Sequence, residues 1–170
     1  TYHPESSTFI KSIIEYRVVD SDSIKSGLAR FFYPNGKIWQ SGMYKDDMLD
    51  GLWTTFFLNG KPNRQTVYRE DMKNGAFTEF YSNGNIFTEG TYLNDSLNGP
   101  LTIYYPSGKL KEVNQYKGNL LNGMTRGYRE NGNIYYRIDY TDSVVDGLYE
   151  RYYPSGTLKE KAFMKGSAYY

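Results

Sequence analysis

The chain has no cysteine and only one histidine, His3, among its 170 residues. Without cysteine there is no disulfide framework, no thiolate metal site and no thiol nucleophile. A lone histidine beside the N-terminus argues against a Ser-His-Asp triad and against a histidine-based metal cluster. Charge of one sign is lacking too. Lys+Arg 20 against Asp+Glu 19 gives net +1, so the chain sets up no global field for nucleic acid or an anionic membrane. No apolar run approaches the ~18 residues of a membrane span, and no transmembrane segment is expected. No charged segment followed by an apolar core opens the sequence, so no signal peptide is expected in it as read. The absent initiator Met points to a removed leader or a trimmed chain, which leaves the compartment open.

What is abundant is tyrosine (19) and glycine (17), and both fall on a lattice. Gly27, Gly51, Gly75, Gly99, Gly123 and Gly147 are spaced by 24 residues. Gly36, Gly60, Gly84, Gly108, Gly132 and Gly156 keep the same step, each preceded by Asn or Ser. Phe32, Phe56, Phe80, Tyr104, Tyr128 and Tyr152 form an aromatic series. Tyr44, Tyr68, Tyr92, Tyr116 and Tyr140 form another, closed by Met164. Ile38, Ile86, Leu110, Ile134 and Leu158 form an aliphatic one, with Pro62 as the exception. Self-similarity at fixed period marks a repeat architecture. The units are 27–50, 51–74, 75–98, 99–122, 123–146 and 147–170.

Each unit reads as a β-hairpin. In Tyr33-Pro34-Asn35-Gly36-Lys37, proline presets the first turn position, asparagine tolerates the next, and glycine takes φ > 0. This is a three-residue loop, a type I turn closed by a glycine bulge. Tyr33 then faces Lys37, and Phe32 faces Ile38. Period-two alternation places Leu28 and Tyr44 on the same face as Phe32 and Ile38. The opposite face carries Trp53, Phe77, Leu101, Tyr149, Trp39, Phe87, Tyr135, Tyr33, Phe57, Tyr81, Tyr105 and Tyr153, mixed with Lys111, Arg129, Arg137 and Lys159. Which face is more buried stays open. The second connection of each unit is polar, as in Tyr44-Lys-Asp-Asp-Met-Leu-Asp-Gly51. Asp50-Gly51 and its counterparts Asn74-Gly75, Asn98-Gly99, Asn122-Gly123 and Asp146-Gly147 are turn-forming pairs, but the register there stays open.

No window keeps a 3.6-residue period, so helices are expected to be few or absent. Residues 1–8 are polar and read as a loose tail, and 9–20 as a strand. Asp20 to Gly27 aligns with the polar connections of later units, so 1–26 is a tail plus a degenerate half unit acting as a cap. The fold class is therefore all-β, an elongated antiparallel single-layer sheet of six tandem hairpins.

The pattern Gly-x-x-x-x-Tyr/Phe-Tyr-x-Asn-Gly-x-Leu/Ile, followed by Tyr and a polar turn, resembles the MORN-repeat variant of bacterial proteins. Gly99-Pro-Leu-Thr-Ile-Tyr-Tyr-Pro-Ser-Gly-Lys-Leu110 and Gly147-Leu-Tyr-Glu-Arg-Tyr-Tyr-Pro-Ser-Gly-Thr-Leu158 match it best. The resemblance implies an interaction scaffold. Some bacterial members carry an antitoxin label, and related arrays are associated with lipid or protein binding.

No nucleophile-base pair recurs along the units, so no enzyme and no cofactor is expected. Asp46, Asp47, Asp71, Asp95 and Asp142 recur along one edge, yet these loops lack the dense oxygen ligands of a calcium loop. They read as turn residues, and no metal is expected. Arg126, Arg129 and Arg137 lie among Tyr128, Tyr135 and Tyr136, a mixture able to stack bases. Glu130 and Asp139 dilute it, and nucleic acid is not the expected partner. The expected function is a non-catalytic scaffold for a protein partner, antitoxin-like in one version. The candidate contacts are Tyr33, Trp39, Trp53, Phe77, Tyr81, Phe87 and Tyr105. The alternative is an exported surface module that takes glycan or lipid through its aromatic face.

Overall fold

The computed structural model describes residues 10–166 and the backbone of 168–169. The expected tail, His3 and the first residue of the expected 9–20 strand lie outside the described residues. Among the described residues there is no helix. The strands are β1 (Ser12–Val19), β2 (Asp22–Phe32), β3 (Ile38–Lys45), β4 (Met48–Phe56), β5 (Pro62–Arg69), β6 (Met72–Phe80), β7 (Ile86–Leu93) and β8 (Ser96–Leu97). They continue as β9 (Gly99–Tyr104), β10 (Leu110–Lys117), β11 (Leu120–Leu121), β12 (Gly123–Tyr128), β13 (Ile134–Thr141), β14 (Val144–Tyr152), β15 (Leu158–Lys165) and β16 (Ala168–Tyr169). All belong to one open antiparallel sheet, ordered as the chain runs, with β8 and β11 as short pairings beside β7 and β10. Fourteen strands lie on the main path. At ~4.8 Å per spacing the sheet runs about 60 Å across its strands.

The first turn of each unit has the expected form. Tyr33 N donates to Lys37 O (2.7 Å) and Gly36 N to Tyr33 O (2.9 Å), and Phe32 stands opposite Ile38. Asparagine completes the loop, because Asn35 Oδ1 accepts from Lys37 N (3.1 Å). The register then slips by one residue. Phe31 pairs with Gln40, so Trp39 is the extra residue of a bulge, and Tyr44 ends opposite Gly27. A one-residue slip moves every later side chain to the other face. Tyr44 therefore lies with Ala29 and Phe31 on the face opposite Phe32 and Ile38. This corrects the expectation that the four series share one side. Uninterrupted alternation fails because the bulge recurs in every unit, as at Phe56·Pro62 and Phe80·Ile86.

The second turn is not at Asp50-Gly51. Lys45 pairs with Met48, leaving Asp46 and Asp47 as a two-residue turn with φ of 52° and 66°. Two successive positive φ values define a type I′ turn, whose twist suits a hairpin. Glu70-Asp71, Asn94-Asp95, Gly118-Asn119 and Asp142-Ser143 repeat it, and Asp20-Ser21 does so between β1 and β2. Gly51 lies inside β4, where Met43 pairs with Asp50 but Ser41 pairs with Thr54. Gly42 thus faces three residues, Gly51, Leu52 and Trp53. The bend needs a positive φ at the unit glycine, 75° at Gly51 and 134° at Gly75.

The bend also decides which face is buried. Ala29 (0% exposed), Trp53 (3%) and Phe77 (5%) share one face, hereafter the inner face, with buried Thr66, Asn114 and Thr125. Trp53 covers Gly42 so closely that a Cβ there would lie 2.1 Å from indole Cδ2. The indole N–H donates to Met43 O (3.0 Å), and the ring meets Tyr44 edge-on at 5.2 Å. Gly90 repeats the arrangement, since its Cβ would lie 2.9 Å from both Phe77 and Leu101. Large side chains at one repeat position thus lie over small ones at another. Enclosing an aromatic side chain removes on the order of 200 Å² from water, roughly 5 kcal/mol gross. The outer face leaves Met43, Leu52 and Phe163 more than half exposed. Gly42→Ala should lower stability by about 1–3 kcal/mol through overpacking. A denaturant melt followed by Trp53 fluorescence checks it, and an unshifted midpoint would contradict this packing.

Candidate binding surface

The aromatic candidates divide by position in the unit. Trp53 and Phe77 are enclosed on the inner face, Phe77 lying 4.7 Å from Tyr92 between ring centroids. Tyr33, Tyr81 and Tyr105 come just before the first turn and are half-buried. Their hydroxyls cross to the next unit. Tyr33 Oη donates to Phe56 O (2.7 Å), Tyr81 Oη to Tyr104 O (2.9 Å) and Tyr105 Oη to Tyr128 O (2.8 Å). Arg129 holds the same position in its unit, and its Nη2 donates to Tyr152 O (3.1 Å). Phe57 also holds that position but has no hydroxyl. Trp39 (39% exposed) and Phe87 (36%) are the bulge residues of their units, the latter 5.1 Å from Tyr81. Sequence reasoning took the recurrent tyrosines for contacts. Their recurrence at one repeat position, interrupted by Phe57 and Arg129, was the signal that could have marked them as ties between units.

The bulge residues make a stripe along the margin above the first turns. It reads Trp39, Asn63, Phe87, Lys111, Tyr135 and Lys159 from one end to the other. The N-terminal half carries two rings, Trp39 and Phe87, and the C-terminal half two cations, Lys111 and Lys159, with Tyr135 between them. Lys111 and Lys159 each stand 5.7 Å from the ring centroid of Tyr105 and Tyr153, and the Arg129 guanidinium stands 4.3 Å from that of Tyr135. Of the three arginines marked in the sequence, Arg126 and Arg137 pair with each other on the outer face. The bulge residue Tyr135 lies on the inner face, with Arg129 against it.

The recurring acidic residues work within the sheet. Leu49 N donates to Asp71 Oδ1 (2.7 Å), and Asp71 N returns to Leu49 O (3.1 Å). Lys25 with Asp47 and Lys73 with Asp95 repeat this two-way clasp, and Asn119 and Ser143 supply the acceptor in later units. Among the described residues no group of three or more His, Asp or Glu could hold a metal ion. Other carboxylates meet tyrosines. Tyr104 Oη donates to Glu89 (2.6 Å) and Tyr136 Oη to Glu112 (2.7 Å). The Glu89 carboxylate pushes Tyr104 up from 10.0 to about 12, and burial together with Glu112 raises Tyr136. Glu150 is buried on the outer face. Its pKa is lowered, first by the Tyr152 hydroxyl and then by Lys161 and Arg137.

A family model described as MORN repeat variant matches residues 25–46, 49–70, 73–94, 97–117 and 145–165, more than half of the chain. The chain belongs to the MORN repeat variant family. MORN repeats are generally non-catalytic binding or scaffold modules. No curated protein matches the chain. The MORN match passes over residues 118–144, the segment in which Arg129 and Glu130 replace the Tyr-Pro seen in other units. The hairpin there is unchanged, with Tyr128 opposite Ile134.

Phe57→Tyr should gain a hydroxyl bond to Phe80 O and raise stability by about 0.5–1.5 kcal/mol, while Tyr105→Phe should lose as much. Denaturant melts of both variants check this, and equal midpoints would show the hydroxyls to be idle. The raised Tyr104 pKa sets an alkaline limit. Its contribution is complete below the unfolded value of 10.0 and is lost as pH rises through about 12. Phenolate absorbance should show several late-titrating tyrosines, and one of them, Tyr104, should return toward pH 10 in Glu89→Gln.

Proposed function

We propose that the chain is a scaffold whose inner margin binds a protein partner through the bulge-residue stripe. The supporting observation is the stripe itself. Its position recurs in every unit, carries exposed rings at Trp39 and Phe87, and varies from aromatic to basic along the array. The neighbouring repeat positions are committed to packing or to ties between units. Exposed aromatic anchors beside fixed cations suit a partner surface with apolar and acidic residues. Of the contacts expected from sequence, Trp39 and Phe87 carry this reading best. Tyr33, Tyr81 and Tyr105 border them, and enclosed Trp53 and Phe77 set the shape beneath. In a bacterial setting such a stripe would serve an antitoxin-like protein that covers a toxin.

A photo-crosslinking side chain placed at Trp39, Phe87 or Met43 tests the proposal in a lysate of the native host. One protein should be captured from the first two positions and not from Met43 on the outer face. Trp39→Ala with Phe87→Ala should abolish its capture while the sheet's circular dichroism is retained. Capture from all three positions alike would overturn the assignment. Saturable binding to a glycan array or to liposomes, lost in the same double variant, would favour the glycan or lipid alternative.

A further inference from the structure

At the basic end of the stripe, between the last two units, is a hollow of about 220 Å³. It is lined by Arg129, Tyr135, Arg151, Tyr152, Tyr153 and Lys159, with Pro154 at its edge. Three cationic residues line it, and no carboxylate does. Four other cations of the sheet have acidic partners, as in Arg64–Glu79 (3.3 Å) and Lys161–Glu150 (3.3 Å). None of the ion pairs among the described residues involves Arg129, Arg151 or Lys159. Glu160 stands opposite Arg151 in the strand register but is not part of the lining.

The cations are held in place by the protein. Arg129 stacks on Tyr135 and is anchored to Tyr152 O, and its buried Nε has no hydrogen-bond partner among the described residues. Arg151 lies beside Tyr135 and Tyr149, and Lys159 stands over Tyr153.

We infer that this hollow binds a phosphate monoester. A phosphomonoester carries about −1.5 to −2 charge and three acceptor oxygens, which the three cationic residues match. A single carboxylate would leave most of that positive charge uncompensated. Guanidinium forks are suited to phosphate geometry, and the rings of Tyr135 and Tyr153 give the hollow aromatic walls. The site uses the basic end of the stripe but needs no protein partner. The ester is either free or carried on a phosphorylated side chain, and the chemistry recognised is the same.

The test is a titration of the whole chain with phenyl phosphate, followed by the arginine Nε–H NMR signals at fixed ionic strength. Phenyl phosphate should shift the Arg129 signal saturably, and benzoate should bind at least about fivefold more weakly. Arg151→Gln and Lys159→Gln should each weaken binding about tenfold with the melting temperature unchanged. A phosphotyrosine peptide that binds more tightly than phenyl phosphate upholds the site with a phosphorylated side chain as the source. Equal or weaker binding of the peptide upholds it for a free ester. If neither probe shifts Arg129 beyond a matched chloride control, or benzoate binds as well, the inference is overturned. That result comes from the unaltered chain and holds even if a variant fails to fold.

Discussion

Each unit of this sheet is held by main-chain groups of the unit beside it, and the rest of the structure depends on that constraint. A single-layer sheet has no second layer to bury its inner face, and an isolated hairpin is marginal in water. Beyond the strand ladder, two lines of side-chain bonds run along the two margins. On one, tyrosine hydroxyls and Arg129 reach the carbonyl before the next turn. On the other, the second turn residue of a unit clasps the strand of the unit before it, from Asp47 through Ser143. The strained left-handed backbone at pairs such as Asp46-Asp47 is tolerated because the second residue makes a bond on each side. The acidic edge, which could be taken for a metal site, is thereby accounted for as connective chemistry.

The inner face solves the missing layer in a second way. Instead of packing against another sheet, Trp53 packs down onto the backbone of its own sheet at Gly42. Phe77 and Leu101 do the same at Gly90. The bulges make this possible, because they bend the strands and bring large and small repeat positions together. The same bulges leave one residue per unit projecting beside the first turn. That residue is free to vary, which is why the aromatic-to-basic stripe lies there and nowhere else along the unit.

Much of the fold was legible in the sequence. The lattice of glycines and aromatics gives the hairpins, and Pro-Asn-Gly gives the first turn with Phe32 opposite Ile38. The face assignment of Tyr44 was not legible, because one extra residue at Trp39 inverts the alternation without changing the spacing. Nor was the second turn. Asp50-Gly51 has better turn chemistry in isolation than Asp46-Asp47, and only the clasp to the neighbouring unit reverses that preference. Of the candidate contacts, exposure separates Trp39 and Phe87 from Trp53 and Phe77, a distinction that residue type alone does not carry. The basic-aromatic mixture near Arg129 was visible. The other two cations of the hollow come from the following unit, across a strand pairing that local sequence does not reveal.

The margin clasps also limit how such a protein can change in length. Each clasp joins one turn to a strand 22 residues before it, so the lengths of successive units are locked together. One residue inserted within a unit would uncouple the clasps on both sides of it and reverse the faces of everything between. Adding or removing a whole unit leaves every surviving clasp intact and merely lengthens or shortens the stripe. Heritable change in the reach of this surface is therefore quantised, and duplication is the route by which a longer partner could be accommodated.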